Sequence, residues 1–388
     1  MTDDTARHAT NLELFLDLVF VFAVTQIASL VRHDLTITGA GRGLLIAWLV
    51  WWQWSQFTWA GSATDLQERA ATRVLVLCTI PATLTMAVSI PNVFHETVNG
   101  SSSHDAGPWF GVAYMAVQLL VLAMQGTEAW RDRATRQAFI DFVSYASIAP
   151  LLVTAGGFAH DRVRLGLWIV AALVNVASAV RGASGEWVIN PVHFAERHTL
   201  FVIICLGEAL VSIGGTASDV GLTSKTLIGL VAATSVACIV WWVYFAFIPD
   251  VAEHMLERAT SRHRGRAARD LFTFGHFPIV AGIIAYAVVV KEMVADAARP
   301  LPHADRLMLI ASLAMLIGGC LHIQWRVVHE LAPERFVAIA AIAAWLLIGS
   351  DLRGSPAVGG VAVILAVMQS ITWRHYRGTA VGDAAVGV

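Results

Sequence analysis

NLELFLDLVFVFAVTQIASL, residues 11–30, decides the fold. A helix needs about 20 predominantly apolar residues to cross the hydrocarbon core of a bilayer. This run has that length and carries only Glu13 and Asp17 as charged residues. Working outward, runs of the same kind recur near 12–31, 44–61, 73–91, 109–126, 138–157, 164–181, 198–215, 226–248, 271–291, 306–323, 335–350 and 356–373. Helices are the expected spanners, because lipid offers no partner to an open backbone group. Alternating ten-residue barrel patterns are absent. Pro150 interrupts the run at 138–157, and the run at 335–350 is short.

Composition agrees along the whole chain. Of 388 residues, 57 % are hydrophobic and 14 % charged, against roughly a quarter charged in soluble domains. A net charge of −2 offers no basic surface to nucleic acid. Cys78, Cys205, Cys238 and Cys320 all fall in apolar runs and form no C-x-x-C pair, so they read as packing residues. The opening MTDDTARHATN sets Asp3 and Asp4 against Arg7, unlike the basic start of a signal peptide. The expectation is an all-α, polytopic transmembrane bundle of about 12 helices, with the lipid bilayer as its main partner.

Lys and Arg in the connecting segments set orientation. The termini and even-numbered loops hold 17 of the 26, and the odd-numbered loops hold 9. The segment PNVFHETVNGSSSHDAGP, 91–108, holds none. Both termini are therefore expected on the cytoplasmic side of a bacterial plasma membrane. ERATSRHRGRAARD, 257–270, is the most basic stretch, suited to orientation and contact with anionic headgroups.

The chain also repeats itself. A shift of 190 residues lays Arg7-His8 on Arg197-His198, Trp51-Trp52 on Trp241-Trp242, Trp54 on Tyr244 and Phe57 on Phe247. At 189, Glu68-Arg69-Ala70 meets Glu257-Arg258-Ala259, and at 195, Trp130-Arg131 meets Trp325-Arg326. The repeat unit is about six helices, 1–190 and 191–388. An even number of crossings makes the two halves parallel, an arrangement whose sites often lie near the midplane.

Three stretches carry a resemblance: NLELFLDLVFVFA in the first run, HFAERHTLFVIICLGEALVSIG at the seventh and WWVYF in the eighth. Together they resemble the bacterial low temperature requirement A family, with its ELFxDLVFVFA helix and H-x-x-ER-x-x-LF-x-I-I-x-LGE segment. The resemblance covers nearly the full chain. It implies a polytopic bacterial membrane protein tied to growth in the cold, and no defined biochemical activity. The stretch 15–23 is also similar to the FSDxVFAxA first helix of a potassium-channel family built on six-helix units. Leu16 stands where that motif has Ser, and the second half lacks it, with Gly207 opposite Asp17 and Glu208 one place on.

Glu13 and Asp17 are four apart and share a helix face. Glu208 lies deeper, in the seventh run. An ionised carboxylate at the bilayer centre costs about 2.5–3.5 kcal/mol on insertion scales, so such groups are paired, protonated or wetted, and are functional by default. Arg197 and Glu208 are eleven apart and project on nearly one face. The expectation is that the first and seventh helices face each other, with Glu13, Asp17, His193, Glu196, Arg197 and Glu208 lining a polar path. The bland alternative is a clamp that locks two helices. Gln26, Gln53, His198 and His276 are secondary candidates, and interhelical hydrogen bonds or packing are their ordinary roles. His193 and His198 flank Glu196, but no third ligand stands at a telling spacing, so neither metal nor cofactor is expected. The tryptophans at 48–59 and 241–242 read as interfacial belt and packing, or as the border of a cavity.

Three functions compete. The first is movement of an ion, proton or small solute, with homo-oligomers open to it. The loop after the second run lacks the G-x-x-x-D-R-x-G-R-R signature of the major facilitators: Gly61 and Asp65 are followed by Leu66-Gln67-Glu68-Arg69. The second is a non-catalytic membrane sensor or assembly factor. The third, a lipid-modifying enzyme, lacks a G-x-S-x-G or three-His cluster to carry it.

Overall fold

The computed structural model describes residues 7–63, 69–94, 97–98, 101–102, 104–129, 136–137, 139–140, 143, 146–182, 189–349 and 351–376. Among the described residues the regular structure is helical but for a hairpin of two-residue strands, Thr97–Val98 with Ser101–Ser102. The elements are α1 Asn11–His33, α2 Ile37–Ala63, α3 Ala70–Ser89, α4 Gly107–Ala129, α5 Ile148–Gly157, α6 Asp161–Gly182, α7 Pro191–Val220, α8 Ser224–Phe245, α9 Ile248–Arg258, α10 Ser261–Ala267, α11 Gly275–Ala295, α12 His303–Val328, α13 Pro333–Ile348 and α14 Gly354–Tyr376. A π-helical turn, Ala268–Phe274, joins α10 to α11.

Each expected span falls on a helix, and nine are long and apolar enough to cross a membrane, among the described residues. The other three differ for separate reasons. α2 has 27 residues, but its tryptophans, Gln53 and Gln56 lower its hydropathy. α13 has 16 residues, about 24 Å at the helical rise. The span at 138–157 is seen as α5, with Pro150 in its first turn, where a proline is tolerated; much of its earlier half lies outside the described residues, as do Asp65 to Glu68 and Arg131.

The chain forms two compact units. The first holds residues up to His198 together with Leu256–Thr273. In it α1 packs on α2 and α3, α3 on α4, α4 on α2 and α5, and α6 on α5 and α2. α2 is the axis of this unit: residues 46–58 are buried without a break, as expected of a helix apolar all round. Trp51, Trp52 and Trp54 are therefore core residues. The belt reading fails for them because α2 has no lipid-facing side at that level. The basic stretch 257–270 runs from the end of α9 through α10 into the π-helical turn, and Arg264 and Arg269 donate to the carbonyls of Ile189 and Val180.

Inside the first unit, Arg164 ties three chain segments together. Its guanidinium donates to both Asp105 carboxylate oxygens, at 2.8 and 2.6 Å. It also donates to the carbonyls of Val93, Gly156, Gly157 and Ala159. Its side chain is almost wholly buried. Gly107 is required beside it, since a Cβ there would overlap the guanidinium.

The second unit holds Thr199–Met255 and Phe274–Val388. In it α11 pairs with α12, α14 with α8 and α13, and α13 with α12. Tyr286 donates to the carbonyl of Ala233 at 2.5 Å, fixing α11 to α8. Trp241 and Trp242 are exposed on α8, unlike the Trp51-Trp52 pair they match in sequence, while Tyr244 is buried like Trp54.

Arg164→Ala is expected to destabilise the protein by about 3–5 kcal/mol, because it orphans buried carbonyls and frees Asp105. Thermal unfolding in detergent checks this; an unchanged midpoint would show that those carbonyls do not depend on Arg164.

Candidate functional site

The site begins with two helix starts. α1 opens with a capping box: Thr10 Oγ1 accepts from Glu13 N, and Glu13 Oε2 accepts from Thr10 N at 2.9 Å. α7 opens seven residues earlier than the run at 198–215 suggests, because Asn190 accepts from His193 N at 3.1 Å and Pro191 takes the first position. His193 and Arg197 thus stand one turn apart on the buried face of α7.

Across from them lie Glu13 and Asp17. His193 Nε2 meets Glu13 Oε1 at 2.9 Å and Oε2 at 3.1 Å. Arg197 Nη1 lies 2.8 Å from Glu13 Oε1, and Nη2 donates to Asp17 Oδ1 at 2.6 Å. Trp54 of α2 donates its Nε1–H to the same Asp17 oxygen at 2.7 Å. All four charged or titratable side chains are at most 1 % exposed. One residue along, Glu196 Oε2 accepts from Ala9 N at 2.7 Å and meets His8 Nδ1 at 3.3 Å, so it holds the segment that leads into α1. Arg7 donates to the carbonyls of Gly61 and Ser62 at the end of α2.

The structure therefore brings together five of the six proposed path residues: Glu13, Asp17, His193, Glu196 and Arg197. Glu208 stands eleven residues beyond Arg197 on α7, in the stretch belonging to the second unit, and is half-buried. Of the secondary candidates, Gln53 donates to the Tyr114 carbonyl at 3.3 Å, which is a packing role. Gln26 is half-buried on α1. His198 bonds the Phe194 carbonyl at 2.8 Å through Nδ1 and is enclosed by Trp51, Trp54, Phe194 and Phe272. His276, in the second unit, pairs with the Tyr244 hydroxyl at 2.8 Å.

Two supports went unread in the sequence. Trp54 fixes Asp17 from α2, a contact that no spacing announces. Thr273, in the π turn, accepts from Trp51 Nε1 through its carbonyl at 2.8 Å and from Trp59 Nε1 through its hydroxyl at 3.2 Å. Pro278, just beyond, supplies no N–H to that turn, and irregular helical turns of this kind mark functional sites often.

Charge counting defines what the cluster does chemically. Glu13 and Asp17 bring two negative charges, and Arg197 brings one fixed positive charge. An ionised Glu13 accepts only, so His193 Nε2 carries the proton between them and Nδ1 is left with a lone pair. His193 Nδ1 and Asp17 Oδ2 are buried without hydrogen-bond partners. The cluster therefore holds two buried polar atoms that the surrounding side chains leave unpartnered.

A bundle of apolar helices around a buried acid–arginine cluster defines a multi-pass membrane protein. Residues 8–370 match the family of bacterial low temperature requirement A proteins (LtrA), and this chain belongs to that family. It is also 32 % identical over 299 residues to an uncharacterized protein, RA0937, of Rhizobium meliloti (strain 1021), covering 74 % of this chain and 69 % of that one. No solved structure matches.

Removing one partner of a buried ion pair costs about 3–5 kcal/mol, because the other charge stays buried and uncompensated. Arg197→Gln is therefore expected to lower stability by that amount. Thermal unfolding of the variant and the wild type in one detergent checks this; an unchanged midpoint would mean that the two carboxylates do not depend on Arg197.

Proposed function

We propose that this protein moves protons, alone or coupled to an ion or small solute, across the bacterial plasma membrane, with both termini in the cytoplasm. The observation that carries the reading is the buried Glu13–Asp17–His193–Arg197 cluster, in which Asp17 Oδ2 has no hydrogen-bond partner. Asp17 is the carboxylate that receives the proton, while Glu13 is engaged on both oxygens and holds the frame. Arg197 keeps its charge throughout and repels a metal cation, which favours a proton as the carried species. The arginine distribution supports the orientation.

A second reading is favoured by the closeness of the same contacts. Four side chains at most 1 % exposed, each tied to a neighbouring helix, form a static clamp of a sensor or assembly factor in the cold response of the family. Flux separates the two readings. In vesicles of reconstituted protein holding a pH-sensitive dye, the wild type is expected to pass protons down an imposed gradient. Asp17→Asn is expected to lower the rate at least tenfold while the protein remains monodisperse. No flux of protons or ions in the wild type would favour the clamp. Flux that survives Asp17→Asn and Glu208→Gln together would remove the site assignment.

A further inference from the structure

The second unit contains a buried cation that the cluster above does not use. Arg335, counted in the sequence among the orienting loop charges, is the third residue of α13 and is 1 % exposed. The buried positions of α13 are Arg335, Ala338, Ile342 and Leu346, a single stripe at helical spacing, whereas Phe336 and Val337 are exposed. Arg335 itself stands in the opening turn of α13. That turn has no side-chain cap, its N-cap being the buried Ala332. The positive end of the helix dipole faces the same place.

Among the described residues no carboxylate forms an ion pair with Arg335. Arg335 Nε and Nη1 are buried without hydrogen-bond partners. The neighbouring acid, Glu334, is engaged by Thr372 Oγ1 of α14 at 3.0 Å. One turn back on α14, Gln369 is also buried, with Oε1 unpartnered. Its amide can turn over to present two N–H donors instead. A guanidinium cannot discard its proton as a buried lysine or histidine can. An isolated buried charge is a large penalty, and a counter-ion removes it.

We propose that Arg335 is the centre of a binding site for a small anion, of halide or inorganic phosphate size, held against the opening turn of α13. The pairing of a guanidinium with a helix N-terminus is a general anion-recognition chemistry. The same negative charge can arrive as a free ion or on a phospholipid headgroup; the near-complete burial of the guanidinium favours the free ion. The site is independent of the proton reading of the first unit.

The test uses delipidated full-length protein in neutral detergent, buffered in gluconate at constant ionic strength. Tryptophan fluorescence follows the thermal midpoint as chloride, phosphate or phosphatidylglycerol is added. The wild type is expected to show a saturable rise of about 3–6 °C with chloride or phosphate. Arg335→Gln is expected to show no rise, with a midpoint no lower than that of the anion-free wild type. A rise with phosphatidylglycerol alone assigns the anion to a headgroup. An equal rise in Arg335→Gln, or no rise in the wild type with any of the three, overturns the proposal. Should Arg335→Gln fail to fold, equilibrium dialysis of the wild type with radiolabelled chloride and phosphate decides: about one ion per chain supports the site, and none overturns it.

Discussion

Arg197 reaches Glu13 and Asp17 at once, and the start of α7 is fixed against α1 by that double contact. The guanidinium is planar, permanently charged and able to give several donors in different directions. Here two of its nitrogens go to two carboxylates one turn apart on α1. The neighbouring polar contacts are arranged around this interaction. His193 completes Glu13, Trp54 completes Asp17, and Glu196 holds the chain that leads into α1. Without the guanidinium, two carboxylates would face each other in an apolar interior, where like charges repel strongly.

The aromatic lining of α2 makes that arrangement rigid. Trp54 spends its only donor on Asp17, and Trp51 spends its own on Thr273. His198 is packed among Trp51, Trp54 and Phe272, so the face of α7 next to the cluster is closed by rings. The cluster therefore combines close contacts on four side chains with two buried polar atoms, Asp17 Oδ2 and His193 Nδ1, that have no hydrogen-bond partner.

Much of this was legible in the sequence. The apolar runs gave the helices, because length and the absence of charge are what a bilayer requires. The approach of the first and seventh helices followed from acids in one and Arg and His in the other. Other features depended on local signals that were present but unread. Thr10-x-x-Glu13 spells a capping box, and Asn190-Pro191 spells a helix start, which carries α7 back over His193 and Arg197. What no local signal carries is tertiary partnership. Trp54 and Asp17 are separated by 37 positions, and Arg164 and Asp105 by 59. Arg164 and Arg335 look like ordinary loop charges, since charge alone does not reveal burial. The tryptophan pairs show the same limit: Trp51-Trp52 and Trp241-Trp242 match in sequence, yet one pair is core and the other exposed.

Infrared difference spectroscopy of the full-length protein in bilayers tests the central claim most directly. As the pH is lowered with the fold intact, the account predicts that a carboxyl C=O stretch belonging to Asp17 appears and is absent in Asp17→Asn. Spectra without such a band, or with one that persists unchanged in Asp17→Asn, would contradict it.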